Sequence, residues 1–174
     1  MPRFAANLGY LFTEQPLLGR SEAAAKAGFS AIELQFPYDV PAADVKTAIA
    51  RNKLTILGVN TPPGREGEFG YAAVPGREKD FDTLFAHALD YITAIGGSAI
   101  HCLAGIVAVE QRPAAERVYI ENLKRTADLA AARGITPKRP ISGAIRGDRA
   151  ATSSPAGKIA NPVSSGDQPR SCCM

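Results

Sequence analysis

The last 39 of the 174 residues contain no Leu, Phe, Tyr, Trp or Glu. Residues 136–174 therefore have little apolar surface to set against a backbone-ordering cost of roughly 1–2 kcal/mol per residue, and disorder is expected there. Cysteine is scarce as well. Cys102 lies in an apolar stretch, and Cys172 and Cys173 adjoin each other near the end. That spacing is neither a disulfide framework nor a zinc site. It contains no Cys-x-x-Cys for a redox module, it misses the prenylation pattern, and it fits a reducing cytoplasm. No run approaches the ~20 apolar residues that span a bilayer. The opening Met1-Pro2-Arg3-Phe4-Ala5-Ala6-Asn7 enters a strand pattern directly, without the apolar core of a signal peptide. A phosphate-binding glycine signature is missing too. Gly64-Arg65-Glu66-Gly67 is neither a P-loop nor G-x-G-x-x-G, and it follows a Pro-Pro turn instead of opening a helix.

Charge divides where composition does. Residues 136–174 carry Lys138, Arg139, Arg146, Arg149, Lys158 and Arg170 against Asp148 and Asp167, a net +4, so residues 1–135 sum to −1. The basic balance belongs to the tail. Its six cations are too dispersed, and too free of interleaved aromatics, to form a nucleic-acid or membrane-surface patch. Such an abrupt change of composition is read as a frameshift or an unusual splice.

What is present is a β-α rhythm. Phe4–Leu8 reads as a strand, followed by a helix over about Gln15–Ala27 that ends at Gly28. Ala31–Phe36 reads as a second strand closed by Pro37, and Pro41 opens a helix running to about Asn52. Leu54–Val59 is an aliphatic run suited to a strand covered on both faces. A long polar loop leads to a third helix over Arg77–Ile95, with Phe81, Leu84, Phe85, Ala88, Leu89 and Ile92 at helical spacing and Gly96-Gly97 behind it. Ser98–Ala104 and Ala114–Arg133 complete a fourth unit. Four such units predict a parallel sheet in an α/β fold, either a small doubly wound domain or the first half of an eight-unit barrel.

In both folds chemistry gathers where strands end. Asn7, Glu33 or Gln35, Asn60 and His101 fall there. Asn7 and Asn60 could hold a hydroxy acid through their amides, or simply cap turns. Glu33 lies within an apolar strand, where an unpaired carboxylate is costly, so it either faces a polar site or pairs with Arg3 or another cation. His101 is a substrate contact or a buried histidine donating to a carbonyl. With no second His or carboxylate nearby in sequence, it is not read as a metal ligand. His87 reads as a partly exposed helical residue. Arg65, Glu66 and Arg77 could close over a carboxylate through the 61–76 loop, or be merely solvated.

Several motifs together resemble the hydroxypyruvate isomerase family, which includes the 2-oxo-tetronate isomerases, among the xylose-isomerase-like TIM barrels. They are Phe4-Ala5-Ala6-Asn7-Leu8, Leu11-Phe12-Thr13-Glu14, Ala27-Gly28-Phe29, Phe36-Pro37-Tyr38, Asn60-Thr61, Pro75-Gly76-Arg77-Glu78 and Ile100-His101-Cys102-Leu103-Ala104-Gly105. The likeness runs from about residue 2 to residue 135. It implies the first four β/α units of a (β/α)8 barrel, followed by the disordered 136–174 tail. It also implies an aldose-ketose isomerase of small hydroxy-carbonyl acids, with His101 as a substrate contact, to which the strand-end reading adds Asn7, Glu33 and Asn60 as substrate-binding candidates.

In that family a base moves the proton and a divalent metal, magnesium or manganese, holds the enediolate oxygens. Both depend on glutamates ending strands five and eight. Here Pro137-Lys138-Arg139-Pro140 replaces the aliphatic run expected before the first of these, and no Glu follows Glu121. Asp148 and Asp167 are poor substitutes. The expectation is thus an inactive, truncated form holding no metal, with no assignable catalytic residue. A half barrel would leave strands one and four with open outer edges and would bare an apolar inner face, inviting self-association. The alternative is a non-catalytic small-molecule-binding α/β protein that keeps Asn7, Asn60 and His101.

Overall fold

The computed structural model describes residues 4–138. The expected disorder of the tail falls, apart from its first three residues, outside that range. Five parallel strands alternate with four helices. They are β1 (Ala6–Asn7), α1 (Leu17–Lys26), β2 (Ala31–Leu34), α2 (Ala42–Arg51), β3 (Thr55–Asn60), α3 (Glu78–Ile95), β4 (Ala99–His101), α4 (Arg112–Ala131) and β5 (Thr136–Lys138), with one 3-10 turn at Val109–Gln111 before α4. Among the described residues no helix is long and apolar enough to cross a membrane.

The strands lie in sequence order, β1-β2-β3-β4-β5. A doubly wound sheet reverses its order at a switch point, whereas a barrel wall does not. The helices agree with the wall, since α1 packs on α2, α2 on α3 and α3 on α4 in a single layer. The core fills the space between that layer and one face of the sheet. Ile32, Leu34, Ile56, Val59 and Ile100 meet Val45, Ile49, Phe81, Phe85 and Ile92 there, all buried. Burying such a side chain fully contributes roughly 1.5–3 kcal/mol.

Local chemistry sets the element ends. Pro16 and Pro41 stand immediately before α1 and α2, where a missing N–H costs nothing, so α1 starts two residues later than periodicity suggests. Glu78 and Asp80 place negative charge in the first turn of α3, and Gly96 ends that helix at φ 78°. β3 approaches β4 closely at Gly58, where a Cβ would stand 2.9 Å from the Ala99 carbonyl oxygen.

The described fold extends three residues beyond the expected boundary at Ile135. Thr136–Lys138 forms a strand in register with β4, pairing Ala99 with Thr136, Ile100 with Pro137 and His101 with Lys138. The edge of β4, expected to be open, is therefore covered. Pro137 is tolerated because of the alternation of the ladder. Thr136 N–H donates to Ser98 O (2.9 Å) and Lys138 O accepts from Cys102 N–H (2.9 Å), so the backbone of Pro137 faces the outer edge, where no donor is required. A proline and a lysine on that edge blunt it against further pairing.

The C-terminal end of the face away from the helices carries polar residues. Asn7 lies beside Glu33 and Asn60 beside His101, and Lys138 follows on β5.

Candidate active site

Each of the four residues picked out at strand ends emerges on this polar face. Glu33 alternates with the buried Ile32 and Leu34, which commits its side chain to the side away from the helices, where it is exposed. Asn60 and His101 are register partners on β3 and β4. Their side chains meet, with His101 Nδ1 3.2 Å from Asn60 Oδ1. His101 is pulled below the ordinary histidine range by burial, and the Glu33 carboxylate opposes that pull in part. At neutral pH the ring is therefore uncharged. Gly58, the register partner of Glu33, lets the backbone of β4 approach closely at that level.

The walls around this pair are fixed by groups that periodicity did not single out. The Tyr38 hydroxyl donates a short hydrogen bond to the Asn60 carbonyl oxygen. Burial, reinforced by Tyr91 and Cys102, pushes the Tyr38 hydroxyl well above its usual range, so it stays a donor. The Tyr91 hydroxyl in turn lies 2.9 Å from Pro37 O and 2.8 Å from Val40 O, holding the loop that carries Tyr38. The buried Thr61 links the two strand ends. Its N–H donates to His101 O (2.9 Å), and its Oγ1 accepts from Leu103 N–H (3.0 Å). The motif Phe36-Pro37-Tyr38 was a signal for Tyr38, but nothing in the spacing shows that its hydroxyl reaches Asn60.

Asn7 makes the turn contact that was one of its two readings. Its Oδ1 accepts from Gly9 N–H at 3.0 Å, closing the turn after β1. Arg20 holds the rest of that loop by donating to Gln15 O (2.8 Å) and Leu8 O (2.9 Å). His87 is exposed on α3 with its ring 4.9 Å from that of Tyr38, outside the site. Cys102 is buried and its thiol is pushed up to about 12, which leaves it protonated and inert.

Arg77, at the end of the 61–76 loop, is engaged by neighbouring side chains. Its guanidinium lies 3.9 Å over the Tyr71 ring, 3.2 Å from Glu68 Oε1 and in a short ion pair with Asp80. These partners raise its proton affinity, while Glu68, which also accepts from Tyr71 and from Arg65 N–H, is held below the usual carboxylate range. Arg65 and Glu66 remain exposed. The loop is further pinned where Gly70 bridges Ala104, since a Cβ at Gly70 would stand 2.3 Å from Leu103 O. A residue missed in the sequence is Lys138. β5 sets it beside His101, exposed and on the same face, in a stretch that composition had assigned to the tail.

Comparison with known proteins now decides the family, because the sequence pattern of xylose isomerase-like TIM barrels matches residues 21–137. The chain belongs to the xylose isomerase-like TIM barrel family. Among curated members it is similar to a 2-oxo-tetronate isomerase from Cupriavidus necator, 43% identical over 139 residues that cover 78% of this chain and 54% of the relative. It is also similar to the hydroxypyruvate isomerase of Escherichia coli (strain K12), 39% identical over 137 residues that cover 74% of this chain and 51% of that one. The chain spans about half the length of the curated relatives it matches. A crystal structure of an AP endonuclease, family 2, from Brucella melitensis superposes with a TM-score of 0.76 at 41% identity, covering 80% of this chain and 55% of that one. A 3-keto-D-glucoside 4-epimerase from E. coli, at 15% identity and a TM-score of 0.62, shares the fold.

Within this TIM-barrel family, the strand ends that meet in the described residues offer two amides, one neutral imidazole, one carboxylate and one ammonium. No cluster of three or more His, Cys, Asp or Glu side chains suited to a metal ion occurs among the described residues. A divalent metal does not fit this donor set among the described residues.

Proposed function

We propose that this chain carries the substrate-binding strand ends of an aldose-ketose isomerase of the hydroxypyruvate isomerase type. Its substrate class is a small hydroxy-carbonyl acid such as hydroxypyruvate or a 2-oxo-tetronate. The observation that carries the proposal is the Asn60–His101 contact at the ends of β3 and β4, with Glu33 near enough to influence the imidazole. Isomer interconversion moves a proton between adjacent carbons and needs polar groups to hold the oxygens on both. His101 and Asn60 supply neutral hydrogen-bonding groups for those oxygens. Lys138, beside His101, supplies positive charge for the substrate carboxylate. The isomerase names of the relatives support the reaction class.

We further propose that the 174 residues alone bind without turning over. After Glu121 the sequence contains no glutamate, so the family's strand-five and strand-eight carboxylates have no counterpart here. This merges with the second reading, a small-molecule-binding protein. The test is an isomerase assay with hydroxypyruvate and with a 2-oxo-tetronate, magnesium or manganese present. The purified chain is run beside a chimera in which residues after Ile135 are replaced by those of the Cupriavidus relative. Turnover by the chimera alone supports the proposal. Turnover by the chain itself overturns the claim of binding without catalysis, and an inactive but folded chimera overturns the assignment of the site.

A further inference from the structure

His101 Nδ1 faces Asn60 Oδ1 at 3.2 Å. A carbonyl oxygen only accepts, so in this contact Nδ1 must carry the proton, and in a neutral ring Nε2 is then left with a lone pair. Nε2 bonds to no described residue, and no fully buried side-chain nitrogen or oxygen among the described residues lacks a partner, so Nε2 is reached by solvent. Asn60 itself is held from behind by the Tyr38 hydroxyl on its carbonyl oxygen. Its neighbour Thr61 ties the same strand end to the backbone of β4 on both sides of Cys102.

We infer that Asn60 is a positioning residue: it fixes His101 as the Nδ1–H tautomer, so that Nε2 stands open as an acceptor for the hydroxyl of a small hydroxy acid. The inference rests on the proposed site and deepens it by naming the substrate atom that His101 takes. A carbonyl oxygen of substrate finds no donor at Nε2, whereas a hydroxyl does find an acceptor. The site thus prefers the hydroxyl-bearing carbon at this position, and the carbonyl is left to other groups. The groups around the ring are consistent with a neutral imidazole. The Glu33 carboxylate acts on the ring from β2, Lys138 is the register partner of His101 on β5, and the protonated Tyr38 hydroxyl lies behind β3 and the protonated Cys102 thiol next along the chain from β4. Burial outweighs the pull of Glu33.

The chain has only two histidines, and His87, exposed on α3, serves as an internal reference. The experiment is a long-range proton-nitrogen correlation on the nitrogen-15-labelled full chain near pH 8, which reads which ring nitrogen carries the proton. The expected spectrum shows His101 as Nδ1–H. In Asn60→Leu the ring should move toward the Nε2–H tautomer that an unconstrained neutral histidine prefers. Asn60→Asp, which keeps an acceptor in the same place, should restore Nδ1–H, and that rescue separates positioning from mere loss of fold. Adding D-glycerate to the unsubstituted chain should shift Nε2 of His101 more than Nδ1. Pyruvate, which lacks the hydroxyl, should bind roughly three- to tenfold more weakly, the worth of one neutral hydrogen bond. An Nε2–H tautomer in the unsubstituted chain, or one unchanged by Asn60→Leu, overturns the positioning role. A correct tautomer with no glycerate response at Nε2 overturns the acceptor role. None of these readouts requires turnover, so a failed isomerase assay leaves the tautomer result standing.

Discussion

Asn122 is the most demanding polar group in the fold, and replacing it should reveal how firmly α4 holds the loop above the site. It is 0% exposed, in the middle of α4. Its Nδ2 donates to Ala72 O at 2.8 Å, and its Oδ1 accepts from Arg125 at 2.8 Å. Ala72 is itself fully buried in the 61–76 loop. Asn122→Leu keeps most of the volume, so the cavity effect is small. What is lost is the donor to a carbonyl that water cannot reach, at a cost of about 2 kcal/mol. For a fold of this size, at about 3–5 °C per kcal/mol, Tm should fall by about 6–10 °C. Arg125→Met provides the contrast. It removes the hydrogen bond to Asn122 and the 2.5 Å pair with Asp82, whose side chains are 45% and 47% exposed, and it should cost about 1 kcal/mol at most. Thermal melts followed by circular dichroism compare the two. A fall of less than about 2 °C for Asn122→Leu, or equal falls for both variants, would refute the reasoning that burial of the acceptor sets the magnitude.

Gly58→Ala forces a Cβ to 2.9 Å from the Ala99 carbonyl oxygen, a backbone atom that cannot swing away, and should cost about 1–3 kcal/mol in urea unfolding. Stability should also depend on pH through His101. Its folded-state affinity for protons is lowered, so the unfolded chain binds more protons, and stability is fully present above about pH 6.5 and declines as pH falls below it. Denaturant midpoints between pH 8 and pH 5 read this, and His101→Gln should flatten part of the slope. Cys102, buried with its thiol held protonated, should resist alkylation by iodoacetamide at pH 8 in the native chain and react after unfolding, as peptide mass mapping would show.

The helices were legible because their apolar residues recur every three or four positions and their ends carry Pro or Gly, as at Pro41 and Gly96. The first four strands were legible as apolar runs, but their order was not. Four β-α units suit two topologies, and only the register of β1 through β5 and the single helix layer exclude the doubly wound one. β5 was invisible because Thr136-Pro137-Lys138 buries almost nothing. It is held by backbone hydrogen bonds to β4, which leave no trace in side-chain pattern. The candidate site was half legible. Asn60, Glu33 and His101 stood out as polar residues closing or interrupting apolar runs. The engagement of Arg77 could not be read, since its partners Glu68, Tyr71 and Asp80 meet it only once the loop is folded.

The central claim is that the ends of β2, β3 and β4 bind a small hydroxy-carbonyl acid. Its most direct test is backbone amide shift mapping of the full chain during titration with hydroxypyruvate. The account predicts the largest changes at Glu33, Asn60, His101 and Lys138, and their loss in His101→Gln. Saturable changes centred elsewhere, for instance in the groove between α1 and α2 lined by Leu18, Asp44, Thr47 and Arg51, would contradict it.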